Sequence, residues 1–135
     1  MPNIDTVAVG DVFWFEVNEA AGLHLYFVLT EPENDRVVMV HVTDWDHPLL
    51  DTSAVLRPGD HPRIKKVSVA VYKSAGFFSV PTICADVNAR RAHKVEPGSD
   101  ELVRKLQDGL IGSEESSEEV YDYCLDRFPV HPTEG

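Results

Sequence analysis

Three side chains in the first half of the chain, His24, Thr43 and His61, are of types that can move a proton or donate a hydrogen bond. Each falls near the end of one of three strand-like runs, GLHLYFVLT, RVVMVHVT and KVSVAVY, the last entered through the turn GDHP. Side chains at the ends of consecutive strands can leave the core and meet over a groove. A histidine with an unperturbed pKa of about 6.5 can act as acid or base near neutral pH. In Gly59-Asp60-His61-Pro62 the glycine permits a tight turn, the aspartate can fix an imidazole tautomer, and the proline restrains the exit into the next strand. Arg63 and Lys65 follow, cations of a kind that can hold a phosphate. A purely structural use stands beside each of these: Asp60 and His61 as turn residues satisfying backbone groups, His24 as a half-exposed strand residue, Thr43 as a strand-end hydroxyl.

The elements that must position these residues are short. Residues 11–17, DVFWFEV, read as a first strand after Gly10, and NEAAG as a loop. Between His24 and Thr30 the leucines and Phe27 alternate toward the core, and EPEND is a turn. Arg36 to Thr43 is apolar on both faces, as expected of a central strand. Residues 44–63 are Pro- and Asp-rich and mostly irregular, with a short strand at Ser53 to Leu56. From Lys66 to Tyr72 alternation predicts Val67, Val69 and Val71 inward and Ser68, Ala70 and Tyr72 on the opposite face. Phe77 to Cys84 reads as a strand interrupted at Pro81. Near residue 97 the period changes from two residues to helical. Pro97-Gly98-Ser99 precedes DELVRKLQDGLI, whose apolar residues share one side and whose Asp100 and Glu101 suit a first turn. Gly112 stops that helix, and Ser116 with Glu119 has capping-box spacing for a second, to about Arg127.

The expected architecture is therefore mainly β: a small barrel of five or six mostly antiparallel strands over residues 1–96, with one or two C-terminal helices over 97–135 packed on the same domain. The size, 135 residues with 43% hydrophobic and 26% charged side chains, suits one soluble domain. The N-terminus lacks the basic start and apolar stretch of a secretion signal and no long apolar run follows, so the expected location is the cytoplasm, without membrane contact. Two cysteines, Cys84 and Cys124, suggest neither a disulfide framework nor a zinc site and read as buried thiols.

A net charge of −11 opposes broad attraction to nucleic acid, which leaves any such contact to local patches. Arg63, Lys65 and Lys66 form one patch and Arg90, Arg91 and Lys94 another. Trp14, Trp45, Tyr26 and Tyr72 can stack on bases where exposed, although aromatics at strand positions are more often core. His41 shares a strand face with Thr43, but the histidine spacings match no metal motif, so no metal is expected. Phosphate-binding glycine loops, dinucleotide fingerprints and nucleophile elbows are also missing, which argues against kinases, dehydrogenases and common hydrolases and leaves no cofactor expected.

With GDVFWFEV upstream, a VLT-ending strand after it and a third strand ending in Thr43, the layout over roughly residues 9 to 85 resembles the SH3-like barrels of the MazF/PemK/Kid toxins of bacterial toxin-antitoxin pairs. The resemblance implies metal-independent cleavage of single-stranded RNA. It puts His24 where the family usually has Arg, and Thr43 at the second functional position. Arg stabilises a pentavalent phosphate by permanent charge and bidentate hydrogen bonds; a histidine can instead take the proton of a ribose 2′-hydroxyl or deliver one to the leaving 5′-oxygen. The expected catalytic set is thus His24, Thr43 and His61, with Arg63, Lys65 and Tyr72 binding substrate. The expected partners are RNA and an antitoxin or other protein, with a homodimer as the assembly. The alternative is a noncatalytic SH3-like module that binds a protein through the same groove, its acidity serving solubility or a basic partner.

Overall fold

The computed structural model describes residues 3–15 and 24–129. Strands β1 (Val12–Phe15), β2 (His24–Val28) and β3 (Arg36–Asp44) form an antiparallel meander in which Leu25 faces Val42 and Phe13 faces Tyr26. Glu16 and Val17, expected to extend β1, lie outside the described residues. The nine-residue β3 is shared along its other edge: β6 (Gly76–Ser79) pairs with its first half and β5 (Ser68–Ala70) with its last residues, and the two-residue β4 (Val55–Leu56) pairs with β5. An antiparallel strand β7 (Ala92–Val95) adds to β1. The sheet has seven strands, and its end strands β4 and β7 have no second neighbour among the described residues, so it is bent but open.

Three helices complete the fold: α1 (Val80–Asn88), α2 (Asp100–Gly112) and α3 (Glu118–Leu125). In α1 Pro81 stands in the first turn, where its missing N–H costs nothing, and the Ser79 hydroxyl accepts from the Thr82 N–H. Pro81 therefore starts a helix instead of interrupting a strand, which corrects the expected strand to Cys84. The α2 boundaries follow the sequence expectation, with Ser99 accepting from the Leu102 N–H. For α3 the cap is Ser117, one residue later than the capping-box spacing indicates. Ser116 instead donates to the Leu110 carbonyl at 2.7 Å, satisfying an orphan acceptor at the end of α2.

Each face of the sheet buries its own core. On one side Val12, Leu25, Phe27, Val38, Val40 and Val42 pack with Leu102, Leu106 and Leu110 of α2 and Val120 and Cys124 of α3. On the other, Phe13, Val28, Val37 and Met39 pack with Val80, Ile83 and Cys84 of α1. This two-sided cover is why β3 reads apolar throughout. All three residues of β5 are buried, Val69 as expected and Ser68 and Ala70 against the expectation; Ala70 and Tyr72 belong to the α2-side core, and Val67 and Val71 are only half-buried. A short 3-10 turn at Tyr72–Ser74 ends the alternation there.

Candidate active site

The open end of the β2–β3 ladder carries the candidate chemistry. Continuing the register by one residue from Leu25 and Val42 sets His24 across from Thr43, both on the sheet face that also carries Tyr26 and His41. The His24 and His41 rings lie with centroids 4.6 Å apart, and Tyr26 is 5.2 Å from His41. Phe15 and Phe78 close the aromatic patch around Tyr26 at 5.1 and 5.8 Å. Nδ1 of both histidines is buried without a hydrogen-bond partner among the described residues. Burial, and after it the neighbouring His24, lowers the His41 pKa from 6.5 to about 4, so this ring is neutral at physiological pH.

Beside Thr43 a groove of about 390 Å³ runs past Asp44, Asp46, Arg63, Lys65 and Lys66. Its charge is mixed, with three cations facing two carboxylates. Arg63 pairs with Glu96 at 3.0 Å, both side chains about half exposed, and Lys65 and Lys66 are exposed. The Glu96 carboxyl is held below its ordinary range, first by its own backbone N–H and then by Arg63. Trp45, just after β3 and between the groove residues Asp44 and Asp46, is 44% exposed.

His61 does not join His24 and Thr43. It is 2% exposed and packs edge-on against Phe27, on the α2 side of the sheet. Its Nδ1 accepts the Arg63 N–H at 3.0 Å, so Nε2 carries the proton and donates to the Glu96 carbonyl at 2.6 Å. With both nitrogens engaged by backbone, the ring pins the loop of residues 57–64 to the end of β7 and thereby presents Arg63 beside Glu96. The expectation of a proton-transfer role is replaced by a positioning one. Tyr72 is also corrected: it is fully buried, its hydroxyl donates to the Leu106 carbonyl at 2.7 Å, and burial pushes its pKa well up. It is a core residue that no RNA base reaches. His41, beside His24, is the residue that strand alternation placed on the right face without giving a reason to select it.

Among the described residues no three His, Cys, Asp or Glu side chains cluster to hold a metal ion, and no helix is long and apolar enough to cross a membrane. No family model matches the chain, and no curated protein sequence matches it. Among solved structures it is similar to a chain of the MazE-MazF complex from Deinococcus radiodurans, at 14% identity, with a TM-score of 0.53, over 83% of this chain and 99% of that one. The protein thus has a MazF-like fold, a β sheet with helical additions.

Proposed function

We propose that this chain is the toxin component of a toxin-antitoxin pair and cleaves single-stranded RNA without a metal ion, with an antitoxin protein as its natural partner. The observation that carries the reading is the pairing of His24 and Thr43 at one end of the β2–β3 ladder; Thr43 also borders the groove with Arg63, Lys65 and Lys66, which His24 itself does not line. The fold likeness to a chain of a MazE-MazF complex supports it. In this reading Arg63 and Lys65 hold the phosphodiester, exchanging carboxylate for phosphate, and Trp45 stacks on a flanking base. His24 takes the 2′-hydroxyl proton, and the resulting oxygen attacks phosphorus. The bond from phosphorus to the 5′-oxygen breaks as that oxygen takes a proton from water, leaving a 2′,3′-cyclic phosphate. The Thr43 hydroxyl donates to a non-bridging oxygen as charge develops on it. The neutral His41 ring packs against His24 and fixes its orientation.

Expression in a bacterial host with and without substitutions tests the proposal. Wild-type protein should arrest growth and fragment cellular RNA, and His24→Ala and Thr43→Ala should lose both effects while accumulating as folded protein. Growth arrest that persists in His24→Ala would place the activity elsewhere. Absence of arrest and cleavage in the wild type would favour a noncatalytic binding module, the reading to which the net charge of −11 lends weight.

A further inference from the structure

Between α1 and the strands lies a groove of about 460 Å³, separate from the cationic one beside Thr43 and of a size usual for small-ligand sites. Phe15, Tyr26, Phe77 and Phe78 line it, each half-buried. The Tyr26 ring meets Phe15 at 84° and Phe78 at 73°, edge to face, so these rings do not spend their faces stacking on one another. Phe15 is the register partner of His24 across β1 and β2, and Tyr26 touches the His41 ring. The groove therefore adjoins the candidate acid–base residue.

The opposite wall carries polar groups set by the helix. Ser79, Thr82, Ile83 and Asp86 line the groove at the spacing of one helix side, with Ile83 buried beneath. Arg91 is tied to Asp86 through both backbone and side chain. Its N–H bonds the Asp86 carbonyl at 2.8 Å, and its Nε and Nη2 both reach Asp86 Oδ1 at 3.0 Å. A carboxylate has about four acceptor positions shared by its oxygens, so Oδ2, which has no partner among the described residues, keeps its acceptor capacity. Held in this way and 28% exposed, the Asp86 carboxylate is fixed and still reachable.

We infer that this groove takes one guanine base of single-stranded RNA, stacked on the aromatic wall, with Asp86 accepting from its N1–H and its 2-amino group. An ionised carboxylate accepts and never donates, so it favours an edge where N–H donors stand side by side. Among the bases of RNA only guanine sets a ring N–H beside an amine. Adenine and cytosine place an unprotonated ring nitrogen next to the amine, and uracil flanks its N–H with carbonyls; each of those acceptors repels the carboxylate. Stacking thus supplies affinity for any base, and Asp86 supplies the choice among them. The inference rests on the reading of the protein as one that cleaves RNA, in which it sets a guanine beside the cut.

The probes are the 5′-monophosphates of guanosine, inosine, adenosine, cytidine and uridine, which share one phosphate and differ only in the base. Each is titrated into the protein and followed by amide NMR shifts, with no RNA present. Guanosine monophosphate should bind most tightly and shift Phe15, Tyr26, Thr82, Asp86 and Arg91. Inosine monophosphate, which lacks the 2-amino group, should bind about tenfold more weakly. Asp86→Asn should erase the preference for guanine, its fold being read from the same spectra. The inference is overturned by equal affinity for the guanosine and adenosine nucleotides, by shifts confined to the groove of Arg63, Lys65 and Lys66, by an unchanged preference in Asp86→Asn, or by no binding at roughly ten millimolar nucleotide. Guanine-selective binding by a protein that cuts no RNA would keep the base site and remove the cleavage. RNA cut without guanine-selective binding would do the reverse.

Discussion

His61 and His41 show how little a residue's type says about its work until its neighbours are known. The GDHP turn draws attention to His61, yet Phe27, the Arg63 N–H and the Glu96 carbonyl enclose it and leave neither nitrogen free. Its removal should therefore loosen the loop that carries Arg63. We expect His61→Ala to raise KM for RNA while leaving the shape of the kcat–pH profile unchanged; a lost limb in that profile would return His61 to proton transfer. For His41 the prediction concerns stability. Its folded pKa of about 4 lies below the unfolded value of 6.5, so its contribution is fully present above pH 6.5 and is lost as pH falls toward 4. Allowing for partial exposure, the loss from this ring is on the order of 1–2 kcal/mol. Urea midpoints across pH 4 to 7 should fall less steeply in His41→Phe than in the wild type, and parallel curves would exclude the effect.

At the scale of elements, legibility followed length and cover. Strands β2 and β3 and helix α2 could be read because each is long enough for its period to repeat and because Ser99, Gly112 and the EPEND turn mark their limits. Helix α1 was hidden by Phe77 and Phe78, whose β propensity runs straight into Val80-Pro81; Ser79 as cap with proline in the first turn was the available signal. Strand β7 was hidden because a four-residue edge strand has little alternation to show. Alternation alone places Val69 inward but misses Ala70 and Tyr72, since Tyr72 is drawn into the α2 core by a contact that no local pattern encodes. Gly109 makes that contact: a Cβ there would collide with the Tyr72 phenol and would touch Ala54. Gly109→Ala should thus destabilise despite the better helix propensity of alanine. Tyr72→Phe should cost about 1 kcal/mol for its lost hydrogen bond. The double variant should cost less than the sum, because removing the hydroxyl opens room for the methyl group. Strict additivity in denaturant unfolding would contradict the packing described.

Across the whole molecule, the site forms where the meander ends and the loop of residues 57–64 returns to it, a juxtaposition that sequence order could suggest for His24 and Thr43 but not for Arg63. The net charge of −11 sets the condition under which such a site can be seen. Under the proposed function, far-field repulsion would keep RNA association weak, and local attraction by Arg63, Lys65 and Lys66 would be screened as salt rises. The most direct test of the central claim is incubation of purified protein with a mixed pool of single-stranded RNA at low salt, in excess chelator, between pH 6 and 8, with the new ends analysed chemically. The fragments should end in a 2′,3′-cyclic phosphate and form roughly a hundredfold to ten-thousandfold more slowly with His24→Ala. An uncut pool, or cleavage by His24→Ala at the wild-type rate, would contradict it.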